Sequence, residues 1–165
     1  MHTATLILIF LGTVAAMELF AYAMHRWVMH GPGWFLHASH HRARTGPFEW
    51  NDFYAVIFAV PSILLIYLGV RGGWGDGATA VGAGIAGYGM IYFGFHDWIV
   101  HQRLPHRIVP RSRYFKRIVQ AHRLHHAVES KRGTVSFGFL YAPPVDALKA
   151  ALKQSGEARL REPGT

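Results

Sequence analysis

The sequence predicts an all-α integral membrane bundle of three apolar spans with a histidine-rich cap at one membrane face. Three observations lead there. Apolar residues make up 51% of the 165 and charged residues only 16%, whereas soluble proteins average about 25% charged residues. The apolar residues are gathered into runs close to the roughly 20 residues that cross a bilayer core. Ten of the twelve histidines beside these runs follow one repeated grammar, HxxxxH, HxxHH, HxxxxH, HxxHH. They are His25 and His30, then His37, His40 and His41, then His96 and His101, and last His122, His125 and His126. At this length one domain covering residues 1–165 is expected.

The first span is expected at about residues 4–24. No basic segment precedes it and it passes directly into a His motif, so it reads as a retained span and not as a secretion signal. Glu18 is a costly residue inside it, and it shares a helix face with Tyr22 and His25. Either it bonds a neighbouring helix or it supports a metal ligand from behind. Gly31-Pro32 then breaks the helix. Asn51 or Asp52 can cap a second span at 53–70, which Pro61 kinks without ending. A short loop, Gly72 to Gly77, leads to a third span at 78–95. Its Gly82-Ala-Gly84-Ile-Ala-Gly87 matches a dinucleotide fingerprint by letter only. No strand precedes it, so close helix packing explains it better.

From His101 onward the chain turns basic. Residues 113–129 have the period of an amphipathic surface helix with its histidines facing the protein. Residues 135–148 are apolar but too short to span, which leaves a fourth re-entrant segment or a surface hairpin. Residues 151–165 are expected to be a frayed tail.

Net charge is +8, and eleven of the seventeen Lys and Arg fall between Arg103 and Lys153. Beside membrane spans this points to lipid headgroups or an acidic redox partner, and away from nucleic acid. The positive-inside bias puts all four His motifs on the cytoplasmic side. The chain has no cysteine, so metal chemistry must use nitrogen and oxygen ligands and electrons must come from outside the chain.

HxxHH places residues i, i+3 and i+4 near one helix face, where two or three imidazoles can converge on an ion. HxxxxH does not, because i and i+5 diverge by about 140° on an ideal helix. Either the helix widens to a π-turn or it ends between the two histidines; Gly31-Pro32 favours an ending after the first pair. Ten imidazoles exceed what one ion takes, so two ions are implied. Imidazole suits iron, zinc and copper alike. Ligating histidines need their second ring nitrogen held, and Glu18, Glu49, Asp52, Asp97 and Glu129 are the candidates. His2 and His106 stand outside the grammar and read as structural. No Glu-x-x-His pair occurs, which excludes the soluble carboxylate-bridged di-iron bundle.

The four His motifs, together with Phe48 to Asp52, Gln120 to Ala127 and Val135 to Pro144, resemble the bacterial β-carotene hydroxylases. These form a branch of the membrane fatty acid hydroxylase and sterol desaturase superfamily, and the likeness covers residues 5–148. It implies a non-haem di-iron mono-oxygenase of the bacterial inner membrane. β-Carotene would be hydroxylated at carbon 3 of its β-ionone rings, through β-cryptoxanthin to zeaxanthin, with O2 and a ferredoxin-type electron donor. The ten motif histidines would be the iron ligands, with no catalytic residue beyond them; zinc could stand in for iron in purified protein. The basic surface at Arg111, Arg113, Lys116 and Arg117 could dock the donor, or bind anionic lipid. A carotene ketolase, or a lipid desaturase or hydroxylase, would share the metal site. A zinc hydrolase would need a general base and H-E-x-x-H is absent. A metal carrier would place its site nearer the bilayer midplane.

Overall fold

The computed structural model of the chain describes residues 1–156. Among them every regular element is helical and no strand occurs. Three helices are long and apolar enough to cross a membrane, Thr3–Met29, Trp50–Val70 and Gly75–Val100. The first consists of α1 (Thr3–Ala23) continued by a π-helical segment, π1 (Met24–Met29). A short α2 (Trp34–His37) follows. A 3-10 turn (Trp50–Asp52) then opens α3 (Phe53–Val70), and Pro61 lies inside α3 without ending it. The third span, α4 (Gly75–Tyr92) with its continuation π2 (Phe93–Val100), is longer at both ends than the expected 78–95. It starts earlier because the reversal after α3 closes tightly, using positive φ at Gly73 and Gly75, which glycine adopts without steric cost. It ends later because π2 carries the helix through His96.

Neither Asn51 nor Asp52 caps α3 with its side chain. Asp52 instead accepts the Glu49 N–H at 2.9 Å, closing the 3-10 turn as a reciprocal capping box.

The helix α4 packs against both α1 and α3, which scarcely touch each other. Small residues make this packing close. A Cβ on Gly82 would lie 2.8 Å from the Ser62 carbonyl of α3, and one on Gly84 would lie 2.6 Å from Thr13 Cβ of α1. α1 has no buried residue, and Leu8, Leu19 and Leu64 stay exposed on the outer faces. That is the surface of a helix pair solvated by lipid.

Past the spans, Ser112 caps α5 (Arg113–His125) by accepting the Phe115 N–H at 3.1 Å. The helix stops at His125, short of the expected 129, because the chain turns to aim the Val128 carbonyl at His41. Residues 135–148 form no strand hairpin. Val135 to Pro144 form an irregular strap across the end of the bundle, and α6 (Val145–Ser155) follows. The tail expected to fray from 151 is therefore helical through Ser155, since Leu148 and Leu152 are buried on one face. The rest of that expected tail, 157–165, lies outside the described residues. Phe95, Ile118, Val119, Phe139 and Leu148 form the core beneath the cap.

The helix contacts make one prediction. Gly84→Val should lower the detergent-solubilised protein's stability by about 1–3 kcal/mol through overpacking. Gly12→Ala, whose Cβ meets nothing within 4 Å, should be neutral or slightly stabilising. Equal thermal midpoints for Gly84→Val and wild type would refute the close approach.

Candidate metal centre

The four His motifs meet where α1 and α4 end and α3 begins. Both HxxxxH pairs are brought into line by π-helix. The His30 N–H donates to the His25 carbonyl at 3.0 Å, and the His101 N–H to the His96 carbonyl at 2.9 Å. Both are i to i+5 bonds, which return the second imidazole to the face of the first. The expectation that the helix ends between His25 and His30 is therefore wrong: Gly31-Pro32 terminates the helix only after π1 has delivered both rings.

The ten imidazoles form two groups of five. His25, His30, His37, His41 and His125 make one, and His40, His96, His101, His122 and His126 the other; within each, one ligand atom per residue lies within 4.8 Å of all the rest. The grouping does not follow the motifs. Each HxxHH sends its i and i+4 residues to one group and its middle residue to the other, so that His40 and His125 are exchanged. The first HxxHH runs in turns past the end of α2 at His37; in the second, on α5, helix geometry is the reason. From i, residue i+4 lies about 40° round the axis and i+3 about 60° the other way, so the middle histidine diverges from its neighbours. The groups adjoin, with His41 stacked on His126 at 4.5 Å.

Ring orientation is fixed from outside. Nδ1 of His25, His41 and His125 donates to the carbonyls of Phe137, Val128 and Val135 at 2.8–2.9 Å. His30 reaches the Lys131 carbonyl at 3.3 Å. His37 donates to Asn51 Oδ1 at 2.7 Å, His40 to Glu49 Oε2 at 2.9 Å and His96 to Asp97 Oδ1 at 3.2 Å. With the proton on Nδ1, each Nε2 presents a bare lone pair to the interior. Three rings are not held in this way: the Nδ1 of His122 is buried without a partner, and those of His101 and His126 make no hydrogen bond, among the described residues.

These lone pairs face one another. Nε2–Nε2 separations are 3.2 Å for His25–His37 and His30–His125, 2.9 Å for His40–His96 and 3.0 Å for His101–His122. Two acceptors at that distance repel. Two nitrogens at right angles round an ion, each about 2.1 Å from it, are about 3.0 Å apart. The donor set therefore fits one cation at the centre of each group. Burial keeps the imidazoles neutral, as ligation requires. It lowers His30, His41 and His101 to about 4, although the Lys131 and Val128 carbonyls and the Asp97 carboxylate pull these three upward. His37, His40, His122, His125 and His126 are also lowered, by burial first and by neighbouring imidazoles second.

Three of the five acidic residues singled out above surround Arg103. The guanidinium contacts Glu49 at 3.0 Å, Asp52 at 2.7 Å and Asp97 at 3.2 Å. Burial raises the Glu49 carboxyl, and Arg103 opposes that shift. Since His40 is neutral, its contact with Glu49 is a hydrogen bond to a carboxylate and not a full ion pair. Asp52 touches no histidine and acts through Arg103.

Glu18 lies farther off. Its Oε1 accepts the N–H groups of Phe139, Leu140 and Tyr141 at 2.9, 2.9 and 3.2 Å, and its Oε2 the Tyr88 hydroxyl at 2.8 Å. It clasps the strap that supplies carbonyls to His25 and His125. The strap's Phe139 ring stacks on His25 at 5.3 Å. Ser136, between those two carbonyls, takes a left-handed φ of +60°, a strain of about 1–3 kcal/mol held by the surroundings. Glu129 is exposed and makes no hydrogen bond to a histidine among the described residues; the helix that would have aligned it ends at His125. His106 stays outside both groups, with its Nε2 on the Ile99 carbonyl at 3.2 Å.

Sequence reasoning missed Asn51, weighed only as a cap, and did not single out Arg103 or Tyr92 at the site. Tyr92 stacks on His96 at 4.4 Å, and its hydroxyl donates toward His96 Nε2 at 3.3 Å. The position of Arg103, two residues past His101, was the available signal for one of these. The supporting carbonyls leave no mark in side-chain identity.

The chain is similar to beta-carotene hydroxylases of Pantoea ananas, with 54% identity over 92% of this chain and 86% of the relative, and of Paracoccus sp. (strain PC1), with 52% over 94% and 95%. A chloroplastic beta-carotene 3-hydroxylase of Haematococcus lacustris is 38% identical over 86% of this chain and 45% of its own length. No solved structure matches the chain. Residues 10–149 match the fatty acid hydroxylase family, and with these relatives the match shows that the chain belongs to the fatty acid hydroxylase family.

Proposed function

We propose that the protein is a non-haem di-iron mono-oxygenase that hydroxylates carbon 3 of the β-ionone rings of β-carotene, yielding β-cryptoxanthin and then zeaxanthin. Family membership makes it a hydroxylating oxidoreductase, and relatives at 48–54% identity named for β-carotene hydroxylation support that substrate, in carotenoid biosynthesis. The observation that carries the metal reading is the pair of five-imidazole groups with facing Nε2 atoms.

Two irons, when bound, supply the activation of O2 that an unactivated ring C–H bond demands. The chain's own residues do the rest. Asn51, Glu49, Asp97 and the carbonyls of Val128, Val135 and Phe137 hold the rings neutral and aimed. Phe139 and Phe137 pack over the histidines and exclude water. The electron donor is external, since the chain has no cysteine to hold an iron–sulfur cluster, and the family resemblance implies a ferredoxin-type protein. The exposed Arg111, Arg113 and Lys116 offer it a basic surface. The same basic bias supports a bacterial inner-membrane protein with its metal site on the cytoplasmic side.

Cells that accumulate β-carotene and express the intact chain should form β-cryptoxanthin and zeaxanthin, and a His125→Ala/His126→Ala variant should form neither. Keto-carotenoids in the extracts would reassign the chain to a ketolase. Purified protein should carry two irons per chain. Asn51→Leu, which removes the acceptor from His37, should weaken metal retention against a chelator by about 10–100-fold; unchanged retention would remove Asn51 from the site.

Acid should act through the same histidines. Free imidazole protonates near 6.5, whereas His30, His41 and His101 do so at about 4 in the fold. The unfolded chain therefore binds more protons between these values, and stability falls as pH falls across that window. The thermal midpoint of metal-free protein should be level above about pH 7 and decline from 6.5 toward 4. A midpoint that rises on acidification would contradict neutral burial.

A further inference from the structure

An apolar cavity of about 400 Å³ lies in the cleft where α1 and α3 diverge over α4. It follows α3 from Tyr54 to Ile63, about 14 Å at the helical rise. Its walls include Ala59 on α3 and Gly89 on α4, and its floor includes Tyr92 and Phe139. Phe20 of α1 and Phe58 of α3 meet edge to face across the cleft at 5.9 Å. The outer residues Ile63 and Met90 stay exposed on the bundle surface that faces lipid.

We propose that this cavity receives one end ring of the hydrocarbon substrate, end-on and directly from the bilayer, with Tyr92 as the residue that positions the ring against the histidines. The inference rests on the reading of the chain as a ring hydroxylase, and it names where and how the ring binds. Three observations support it. The volume lies at the lower end of small-molecule pockets and, over so short a length, suits a ring with the first carbons of its chain. The remainder of the polyene then leaves through the cleft past Phe20 and Phe58 into lipid.

The second observation is chemical. Three of the four hydroxyls that line the cavity are committed away from it: Tyr54 to the Gly33 carbonyl, Ser62 to the Gly82 carbonyl and Tyr88 to Glu18; the fourth, on Tyr92, lies at the floor toward His96 Nε2. Asp52 and Asp97 are held by Arg103, and Asn51 Oδ1 by His37. A carboxylate or hydroxyl brought in along the walls above Tyr92 would lose its water without gaining a partner, which disfavours a lipid headgroup or the polar end of a sterol. An unsubstituted hydrocarbon ring has nothing to lose. The third observation is the floor. Tyr92 is the lining residue whose hydroxyl reaches an Nε2, that of His96, so a ring resting on Tyr92 is one residue away from the inward face of the histidines.

Gly89→Leu tests the assignment with little risk to the fold. A Cβ there meets nothing within 4 Å, and leucine favours a helix more than glycine does. The variant and wild type would be compared as iron-loaded holoenzyme in nanodiscs, with retinol as a fluorescent probe carrying one β-ionone ring. Gly89→Leu should keep two irons and melt at or above the wild-type temperature. Its retinol affinity, and its kcat/KM for β-carotene, should each fall at least about tenfold. Ala59→Phe, on the opposite wall, should behave alike. If both variants bind retinol and convert β-carotene as wild type does, the cavity is not the ring site. Displacement of retinol by palmitate as readily as by β-ionone would overturn the commitment to a ring. If wild type binds retinol with this Gly89 dependence yet leaves β-carotene unconverted with reductant and donor present, the cavity assignment stands and the hydroxylase reading falls.

Discussion

The structure depends on one electrostatic constraint: ten neutral imidazoles, eight buried and two partly buried, are gathered with their Nε2 atoms toward one another. Left to themselves these groups repel, and burial removes the water that would otherwise solvate them. What forces the arrangement is the outer side of seven of the rings, where a carbonyl, an amide oxygen or a carboxylate takes the Nδ1 proton. The fold is thus built to hold a deficit of positive charge at two points. A cation at each point converts that repulsion into binding energy, and binding energy of this kind is also folding energy.

The exchange of His40 and His125 between the groups ties the two halves of the chain together. His37 and His41 stand with the first HxxxxH pair, yet that group is completed only by His125 of α5. The second group is completed only by His40, from the loop between the first two spans. Neither group forms from one half of the sequence. The strap from Val135 to Pro144 reinforces the link, because Glu18 of α1 holds its backbone while its carbonyls hold histidines from both α5 and π1. A membrane bundle whose helices lack a hydrophobic driving force for association gains in this way a polar anchor outside the hydrocarbon region.

The sequence made the spans legible because hydrocarbon tolerates so few alternatives. The 53–70 span appears at its expected bounds, and the others are displaced where irregular helix extends them. The convergence of all four motifs at one end followed from counting spans. What could not be read was geometry set by tertiary context. The π-turn was one of two outcomes allowed for each HxxxxH, and Gly31-Pro32 pointed to the wrong one for the first pair, because a helix breaker marks an end without saying what precedes it. The exchange of His125 is implicit in 3.6 residues per turn but needs a second helix to face. Glu18 was conspicuous as a charge in a span, yet its partners are backbone N–H groups more than 120 residues away, which no side-chain pattern announces. The same holds for α6, whose Leu148 and Leu152 gain a partner only once α5 is placed.

The two sides of the histidine groups differ in kind, and that difference orders the chemistry. On the side of the Glu49, Asp52, Asp97 and Arg103 cluster, charge and hydrogen bonds surround the rings. On the side of α1, α3 and α4 the wall is apolar, and its few hydroxyls are already bonded within the protein. On the proposed function, protons and electrons would arrive from the first side and hydrocarbon from the second. A C–H bond held on the apolar side would then be kept from water, which would favour reaction with the substrate over loss to solvent. A site in the middle of the bilayer would have hydrocarbon on every side and no polar route in; one held fully above it would expose the reaction to water. Placement at the end of the spans satisfies both needs. The π-segments serve the same end, since they carry a regular membrane helix into a cluster of polar ligands without a break in backbone hydrogen bonding.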